Sequence, residues 1–347
     1  MIQPARWIPK YRQPVLVVLL GLLLAVVVHH VLVMVYGDQL RASILSGMYL
    51  LEGKPHWRLF QNRVLGPFVD RAFMKAAGLP DVGNILFDLT CFGTALVLAW
   101  RTGWLIVASR AGALAVMLTL ALGLVSLFMG SWFYPWDIIG IALFMFFAWQ
   151  VASGADYISI ALLFAVTIWN RDDALFIALF LIVQPFAGWW RARHSPERPP
   201  IAWRQVILGM VCIVAGVALI VMLRRLLLVE EMGPKLFGVS PAVTPFFRWT
   251  LVTNFLIAVN KIPYLSLEMP AFVLVPPLVF TVSCVYLAFV RNGRYLAYAL
   301  VNLGMVVSTL MFGFLPEIRI WVDMVPVLVL ATAVALARAD APPFTPL

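Results

Sequence analysis

Apolar stretches close to 20 residues long recur along most of this chain, and a helix of about that length crosses the hydrocarbon layer of a membrane. The chain is 63% hydrophobic and only 12% charged, which excludes a soluble globular domain. Clusters of Arg, Pro and Trp separate the stretches, and this repetition favours a helical bundle over an outer-membrane barrel. We expect ten spans, at residues 14–36, 83–100, 111–131, 137–153, 157–170, 174–190, 205–223, 270–290, 295–315 and 319–337.

The whole chain, residues 1–347, is predicted to form a single all-α transmembrane domain. The apolar segment behind the basic N-terminus is too long for a signal peptide and lacks a small-residue cleavage site, so we expect it to be retained as the first helix. The three cysteines, Cys91, Cys212 and Cys284, lie in different apolar segments. Their spacing therefore predicts neither a disulfide framework nor a metal site.

Basic residues predict the orientation of the bundle. Ten crossings place both termini on one side, and with that side in the cytoplasm the inner segments hold 12 of the 25 basic residues. The short outer loops hold only Arg171 and Arg319, and the other 11 lie in two long outer segments, 38–82 and 224–269, which the positive-inside rule constrains less. Because 13 of the 16 acidic residues are outside, the net charge of +9 reflects topology and gives no support to nucleic-acid binding.

Acidic and polar residues gather at the predicted outer ends of the spans. They are Asp38, Asp88, Asp137, the segment NRDD at 170–173, the segment PEIR at 316–319 and Asp323. Each one alone fits a helix cap or an interfacial anchor. However, ionisable groups at membrane depth are costly and usually face a protein interior or a wet cavity. Their arrival at one face from distant segments therefore favours a functional site.

The first outer loop, residues 38–82, has apolar residues at helical spacing over 40–51 and again over about 64–77. Amphipathic helices of this kind lie in the plane of the membrane interface. A Gly-Lys-Pro break separates them, and polar side chains crowd the turn: Lys54, His56, Arg58, Gln61, Asn62 and Arg63. Because the guanidinium fork matches phosphate oxygens, this patch suits a phosphate at the membrane surface.

The order of these segments resembles the GT-C class of integral membrane glycosyltransferases. The resemblance rests on a first span ending in YGD, an outer loop reading GMYLLEGKPHWRLFQNRVLGPFV, an acidic residue in FYPWD, the segment NRDDALF and a late helix EIRIWVDMVPVLVL. It covers roughly the whole chain in topology. It implies transfer of a sugar from a polyprenyl-phosphate donor to a glycan, lipid or protein acceptor, on the outer face of a bacterial inner membrane.

The resemblance also implies roles for individual residues. Asp38 is the expected general base of an inverting transfer, and Asp137 the expected partner that orients acceptor or donor, or binds a metal where one is used. Arg63, Arg171 and Arg319 are expected to neutralise the lipid phosphate. The full set of expected substrate-binding residues is Lys54, Arg58, Arg63, Asn170, Arg171, Asp172, Glu317 and Arg319. No resident metal is assigned, and a divalent ion stays open.

Other features leave alternatives. The second long outer segment, 224–269, suits either a lid or a solvated connector, and its residues 248–263 are a candidate for entry into the membrane. Tryptophans at span ends, Trp136 among them, are expected to form an aromatic belt.

Two other functions fit the composition: a polysaccharide polymerase or ligase that uses lipid-pyrophosphate glycans, and a transporter or flippase. The shallow charges and the lack of an internal repeat favour the transferase over transport.

Overall fold

The structure, a computed structural model, describes residues 14–54, 63–128, 133–193, 200–227, 269–312 and 318–339. Within these ranges the regular structure is entirely helical. The α-helices are α1 (Pro14–Leu51), α2 (Leu65–Ala77), α3 (Pro80–Val107), α4 (Arg110–Phe128), α5 (Pro135–Ser153), α6 (Tyr157–Thr167), α7 (Leu175–Arg191), α8 (Trp203–Leu227), α9 (Met269–Ala288), α10 (Gly293–Phe312) and α11 (Val325–Ala339). Two 3-10 segments, Asp172–Ala174 and Ile318–Met324, precede α7 and α11.

The predicted polytopic helical bundle is confirmed. In the described residues, eight helices are long and apolar enough to cross a membrane, and two shorter apolar helices, Tyr157–Thr167 and Val275–Ala288, accompany them. These ten segments are the ten predicted from hydropathy. The protein is therefore a multi-pass membrane protein. Most of the buried apolar side chains form one large core that includes Phe92, Phe147 and Leu330, and a second, small cluster consists of Leu50, Tyr134 and Trp136.

The short helix α6, together with the turn that follows it, contacts its longer neighbour α5 near both ends of α5. At one level Gln150 donates to the carbonyl of Ser159 (3.3 Å), and at the other Arg171 contacts Asp137 (2.9 Å). Along α5 the two contacts are 13 residues apart, or about 20 Å of helix. Along α6 and the turn that follows it they are 12 residues apart, or about 18 Å at the same rise per residue. The turn after Thr167 thus brings residues 170 and 171 beside the start of α5.

The first helix differs from its prediction. The sequence predicts a span ending at residue 36 and a separate interfacial helix from residue 40, whereas α1 runs without a break from Pro14 to Leu51. A single glycine inside a helix costs only about 1 kcal/mol, so Gly37 is not enough to end it. The helix stops just before Gly53, whose φ of 75° lies in the left-handed region that glycine adopts most readily.

The second predicted helix of the first outer loop is present as α2 and folds back on the start of α3. Gly78, with φ of 70°, ends α2 and turns the chain into α3. A Cβ atom on Gly83 of α3 would lie 2.3 Å from the Cα atom of Met74, so the two backbones approach too closely for any side chain there. The rings of Phe73 and Phe87 pack edge to face beside this contact.

The bundle has a basic end and, opposite it, an end where buried carboxylates gather, which we call the acidic end. At the basic end Arg191 donates to the carbonyl of Ala288, and Arg294 donates to the carbonyl of Ala155 (2.8 Å). The opposite ends of α5, α6 and α11 carry the carboxylates of Asp137, Asp172 and Asp323. This separation is the one that the charge pattern of the sequence predicts.

Candidate active site

A buried guanidinium occupies the centre of the acidic end. Arg171 is only 4% exposed, and each of its three nitrogens contacts a different carboxylate. Nη1 lies 2.9 Å from Asp137, Nη2 lies 3.2 Å from Asp173 and Nε lies 2.9 Å from Asp323. Burial alone lowers the pKa of a guanidinium, but these carboxylates, Asp323 foremost, outweigh it and raise the pKa of Arg171 above its ordinary value. Arg171 therefore stays charged.

The turn after α6 sets the position of Arg171 by hydrogen bonds to two other segments. Asn170 is fully buried, donates to the carbonyl of Trp136 (2.8 Å) and accepts from the backbone N–H of Gly66 (3.3 Å). The N–H groups of Val64 and Leu65 both donate to the carbonyl of Trp169 at 3.0 Å. The start of α2 and the start of α5 are thus tied to the same turn.

Asp137 contributes to the local structure of α5 as well as to the ion pairs. It lies in the first turn of α5, and its Oδ2 accepts from the backbone N–H of Tyr134 (3.1 Å) in a capping box. Its Oδ1 accepts from Arg171 (2.9 Å). Because one carboxylate caps the helix and pairs with the guanidinium, its orientation is fixed from two sides.

Asp323 completes the cluster from the segment before α11. It is 1% exposed, and its Oδ1 has no hydrogen-bond partner among the described residues. A Cβ atom on Gly140 of α5 would lie 2.9 Å from that oxygen and 3.4 Å from Nδ2 of Asn170. The absence of a side chain at position 140 is therefore what leaves room for Asp323 beside α5.

Two further arginines lie around this centre. The guanidinium carbon of Arg63 lies 5.8 Å from the ring centroid of Trp136, a cation–π distance. Burial, followed by repulsion from Arg171, lowers the pKa of Arg63. On the other side, Arg224 near the end of α8 contacts Asp172 at 2.8 Å, and both side chains are partly exposed. We call the whole group the arginine cluster; it consists of Arg63, Trp136, Asp137, Asn170, Arg171, Asp172, Asp173, Arg224 and Asp323.

The structure brings five of the predicted site residues into the arginine cluster: Arg63, Asp137, Asn170, Arg171 and Asp172. Asp38 lies in α1, but its side chain is outside the described residues. Arg58 and Glu317 are outside them altogether, as are residues 228–268 of the predicted lid or connector. Arg319 lies in the 3-10 segment that carries Asp323, and its side chain is also outside the described part. Lys54 follows α1, where its N–H donates to the carbonyl of Tyr49.

The geometry gives Arg171 a different set of partners from those that the resemblance implies. Each nitrogen of its guanidinium contacts a carboxylate, so Arg171 joins three protein segments. Arg63 is the arginine of the cluster that is next in sequence to the turn rich in basic residues. Trp136 also differs from its prediction as a residue of the interfacial belt, since it is fully buried and stacks on Tyr134. In the described residues, no group of three or more His, Cys, Asp or Glu side chains is arranged to hold a metal ion.

Four members of the cluster were not among the predicted site residues: Trp136, Asp173, Arg224 and Asp323. Asp173 and Asp323 are visible in the sequence as acids at span ends, but their pairing with one arginine depends on which faces of the helices meet. Arg224 sits at the end of an apolar span, where a basic residue is ordinary. No periodic pattern indicates these contacts.

Comparison with known proteins finds no relative. No family model matches the chain, and no curated protein or solved structure matches it. The function is therefore inferred from the residues of the chain itself.

Proposed function

We propose that this protein is a membrane glycosyltransferase that moves a sugar from a polyprenyl-phosphate donor to an acceptor at the non-cytoplasmic face of a bacterial inner membrane. The observation that carries the proposal is the arginine cluster, in which five distant segments bring carboxylates and guanidiniums together at one end of the bundle. A transfer of this kind needs a carboxylate to accept a proton and cations to stabilise a phosphate leaving group.

Helix α1 is the element that would bring the general base to this end. Ser43 donates a hydrogen bond to the carbonyl of Phe133, just before α5, and a Cβ atom on Gly47 would lie 3.4 Å from the ring of Pro135. Asp38 precedes Ser43 by five residues, or about 8 Å of helix. The part of α1 that follows Asp38 therefore lies against the segment that carries Asp137.

In the proposed reaction the acceptor hydroxyl attacks the anomeric carbon as Asp38 takes up its proton. The bond from the anomeric carbon to the phosphate oxygen breaks, and its electron pair leaves with the lipid phosphate. Arg63, whose guanidinium lies over the ring of Trp136, stabilises the negative charge that develops there. Arg171 acts as a positioning residue, because its contacts hold Asp137 in one orientation.

The separation of charge between the two ends supports the proposed orientation. Basic side chains concentrate on the cytoplasmic side of bacterial membrane proteins, and the basic end of this bundle includes Arg191, Arg294 and Arg338. The arginine cluster is at the other end. Both termini then lie in the cytoplasm, and the site faces the periplasm or the outside.

The test uses the full chain in proteoliposomes with a panel of labelled polyprenyl-phosphate-linked hexoses and pentoses, and a membrane extract as the source of acceptors. We expect incorporation of label from at least one donor. The variant Asp38→Asn should lower the rate by about 100-fold or more, since a missing general base costs 10²–10⁴-fold. The variant Asp137→Asn should also lower the rate, because the acceptor or donor loses the carboxylate that orients it. Asp156→Asn is the control, because Asp156 caps α6 at the basic end.

Three outcomes would contradict the proposal. Full activity in Asp38→Asn would remove the proposed base, and no consumption of any donor in the panel by the intact protein would reject the transferase. Movement of an intact lipid-linked sugar across the bilayer, with no bond broken, would instead assign the protein as a flippase.

A further inference from the structure

A second group of buried polar side chains lies between α1, α2 and α3, apart from the arginine cluster. Nδ1 of His29 lies 3.3 Å from Oδ2 of Asp88, and Nδ2 of Asn84 donates to Oδ1 of Asp70 (3.2 Å). The exposed fractions are 8% for His29, 2% for Asp70, 3% for Asn84 and 1% for Asp88. We call these four residues the histidine cluster.

The two carboxylates of the histidine cluster have no arginine or lysine partner among the described residues. The basic residues of α2, Arg71 and Lys75, are on its exposed face. With neutral His29, the ionised cluster would bury two negative charges, and burying an uncompensated carboxylate costs several kcal/mol. Some positive charge must therefore accompany the folded state of this region.

A proton fits the cluster better than a metal ion does. The described residues contain no group of three or more His, Cys, Asp or Glu side chains arranged to hold a metal. Nδ1 of His29 instead contacts a carboxylate, and a hydrogen bond between two such groups requires a proton on one of them. In addition, Oδ1 of Asn84 has no hydrogen-bond partner among the residues that the structure describes. It lies one helical turn from Asp88 on the same face of α3, where it can accept from a protonated carboxyl group.

The titratable groups around the two carboxylates are few. From the helices packed on α2 and α3, those that face Asp70 and Asp88 within the described residues are His29 on α1 and Cys91 on α3. His30 of α1 is exposed, and Asp137 of α5 is directed to Arg171.

We propose that the histidine cluster is a proton-binding site, and that protonation of Asp70 keeps α2 packed against α3. Burial raises the pKa of Asp70 to about 7 even though its hydrogen bond with Asn84 acts in the opposite direction. The backbone N–H groups of Leu65 and Gly66 at the start of α2 donate to the carbonyl of Trp169 and to Oδ1 of Asn170, and Asn170 belongs to the arginine cluster. Proton binding at Asp70 is thereby linked to the position of one edge of the candidate active site. This inference does not depend on the transferase proposal.

The test is hydrogen exchange of the α2 amides in the full chain, in lipid nanodiscs, corrected for the intrinsic pH dependence of exchange. Opening α2 exposes Asp70 to water, where a carboxyl releases its proton near pH 4. Since the packed state holds that proton up to about pH 7, protection of α2 should fall about tenfold per pH unit between pH 5 and pH 7 and then level off.

Three variants make the test specific. Asp70→Asn should abolish the pH dependence in α2. Asp88→Asn should move the levelling-off to lower pH, because the Asp88 carboxylate is one cause of the raised pKa of Asp70. Asp81→Asn, an exposed residue in the first turn of α3, is the matched control and should leave the wild-type profile unchanged.

Two results would overturn the proposal. One is protection of the α2 amides that does not change between pH 5 and pH 7 in the wild type, or a fall in protection over this range that persists in Asp70→Asn. The other is a change in the pH at which protection falls when choline chloride is replaced by sodium chloride at constant ionic strength, since the site would then hold a metal cation rather than a proton.

Discussion

The arginine cluster and the histidine cluster keep carboxylates inside the same bundle in two different ways. In the first, three carboxylates surround Arg171, and each contacts a different nitrogen of the guanidinium. In the second, the partners of Asp70 and Asp88 within the described part of the chain are an amide and an imidazole. The first arrangement fixes charge and holds segments together. In the second arrangement the charge of the carboxylates changes with pH, so the packing of α2 against α3 depends on pH.

The largest difference between the two clusters should follow from removing the shared cation. Arg171→Gln leaves Asp137 and Asp323 buried without their cation, and breaking a buried ion pair from one side costs about 3–5 kcal/mol. We expect the free energy of unfolding, measured by SDS titration in mixed micelles, to fall by that amount.

The control for this substitution is Arg110→Gln, which removes an exposed arginine at the start of α4. It should change stability by less than about 0.5 kcal/mol. Equal stability of Arg171→Gln and the wild type would mean that the three ion pairs do not hold the acidic end together.

The two clusters should respond with opposite sign to the same chemical change. At pH 8, Asp137→Asn removes one anionic partner of Arg171 and should destabilise the protein by about 1–3 kcal/mol, although Asn retains an oxygen to cap α5. Asp70→Asn should stabilise it by about 1–3 kcal/mol. The folded state raises the pKa of Asp70 to about 7, so stability falls as pH rises from about 4 to 7 and the charged group costs stability above that.

The pH profile separates this effect from a simple change in packing. The gain from Asp70→Asn should shrink as the pH is lowered and disappear below about pH 4, where wild-type Asp70 is protonated in both states. The same loss of stability for both variants at pH 8 would show that Asp70, like Asp137, is held as a charged partner.

Hydropathy and charge were sufficient to predict the ten apolar segments and the acidic end, because span length and charge asymmetry are properties of local sequence. They were not sufficient for α1, because the predicted break between residues 36 and 40 is absent and one glycine does not end a helix. Nor do they show that Arg171 contacts Asp323, since this contact joins residues more than 150 positions apart and depends on how α5, the turn after α6 and the segment before α11 pack.

The smallest expected effect concerns the space that the arginine cluster needs. In Gly140→Ala the new Cβ atom would lie 2.9 Å from Oδ1 of Asp323, and that side chain is fully enclosed. We expect a loss of about 1–2 kcal/mol in the free energy of unfolding, typical of overpacking.

Gly188→Ala in α7 is the matched control for this overpacking. Its Cβ atom would meet no heavy atom of the described residues within 4 Å, so we expect the higher helix propensity of alanine to raise stability by up to about 1 kcal/mol. The two substitutions add the same methyl group to helical glycines, so the difference between them measures the contact with Asp323. If both proteins gained stability, Asp323 would have room to move, and the cluster would be less rigid than its three ion pairs indicate.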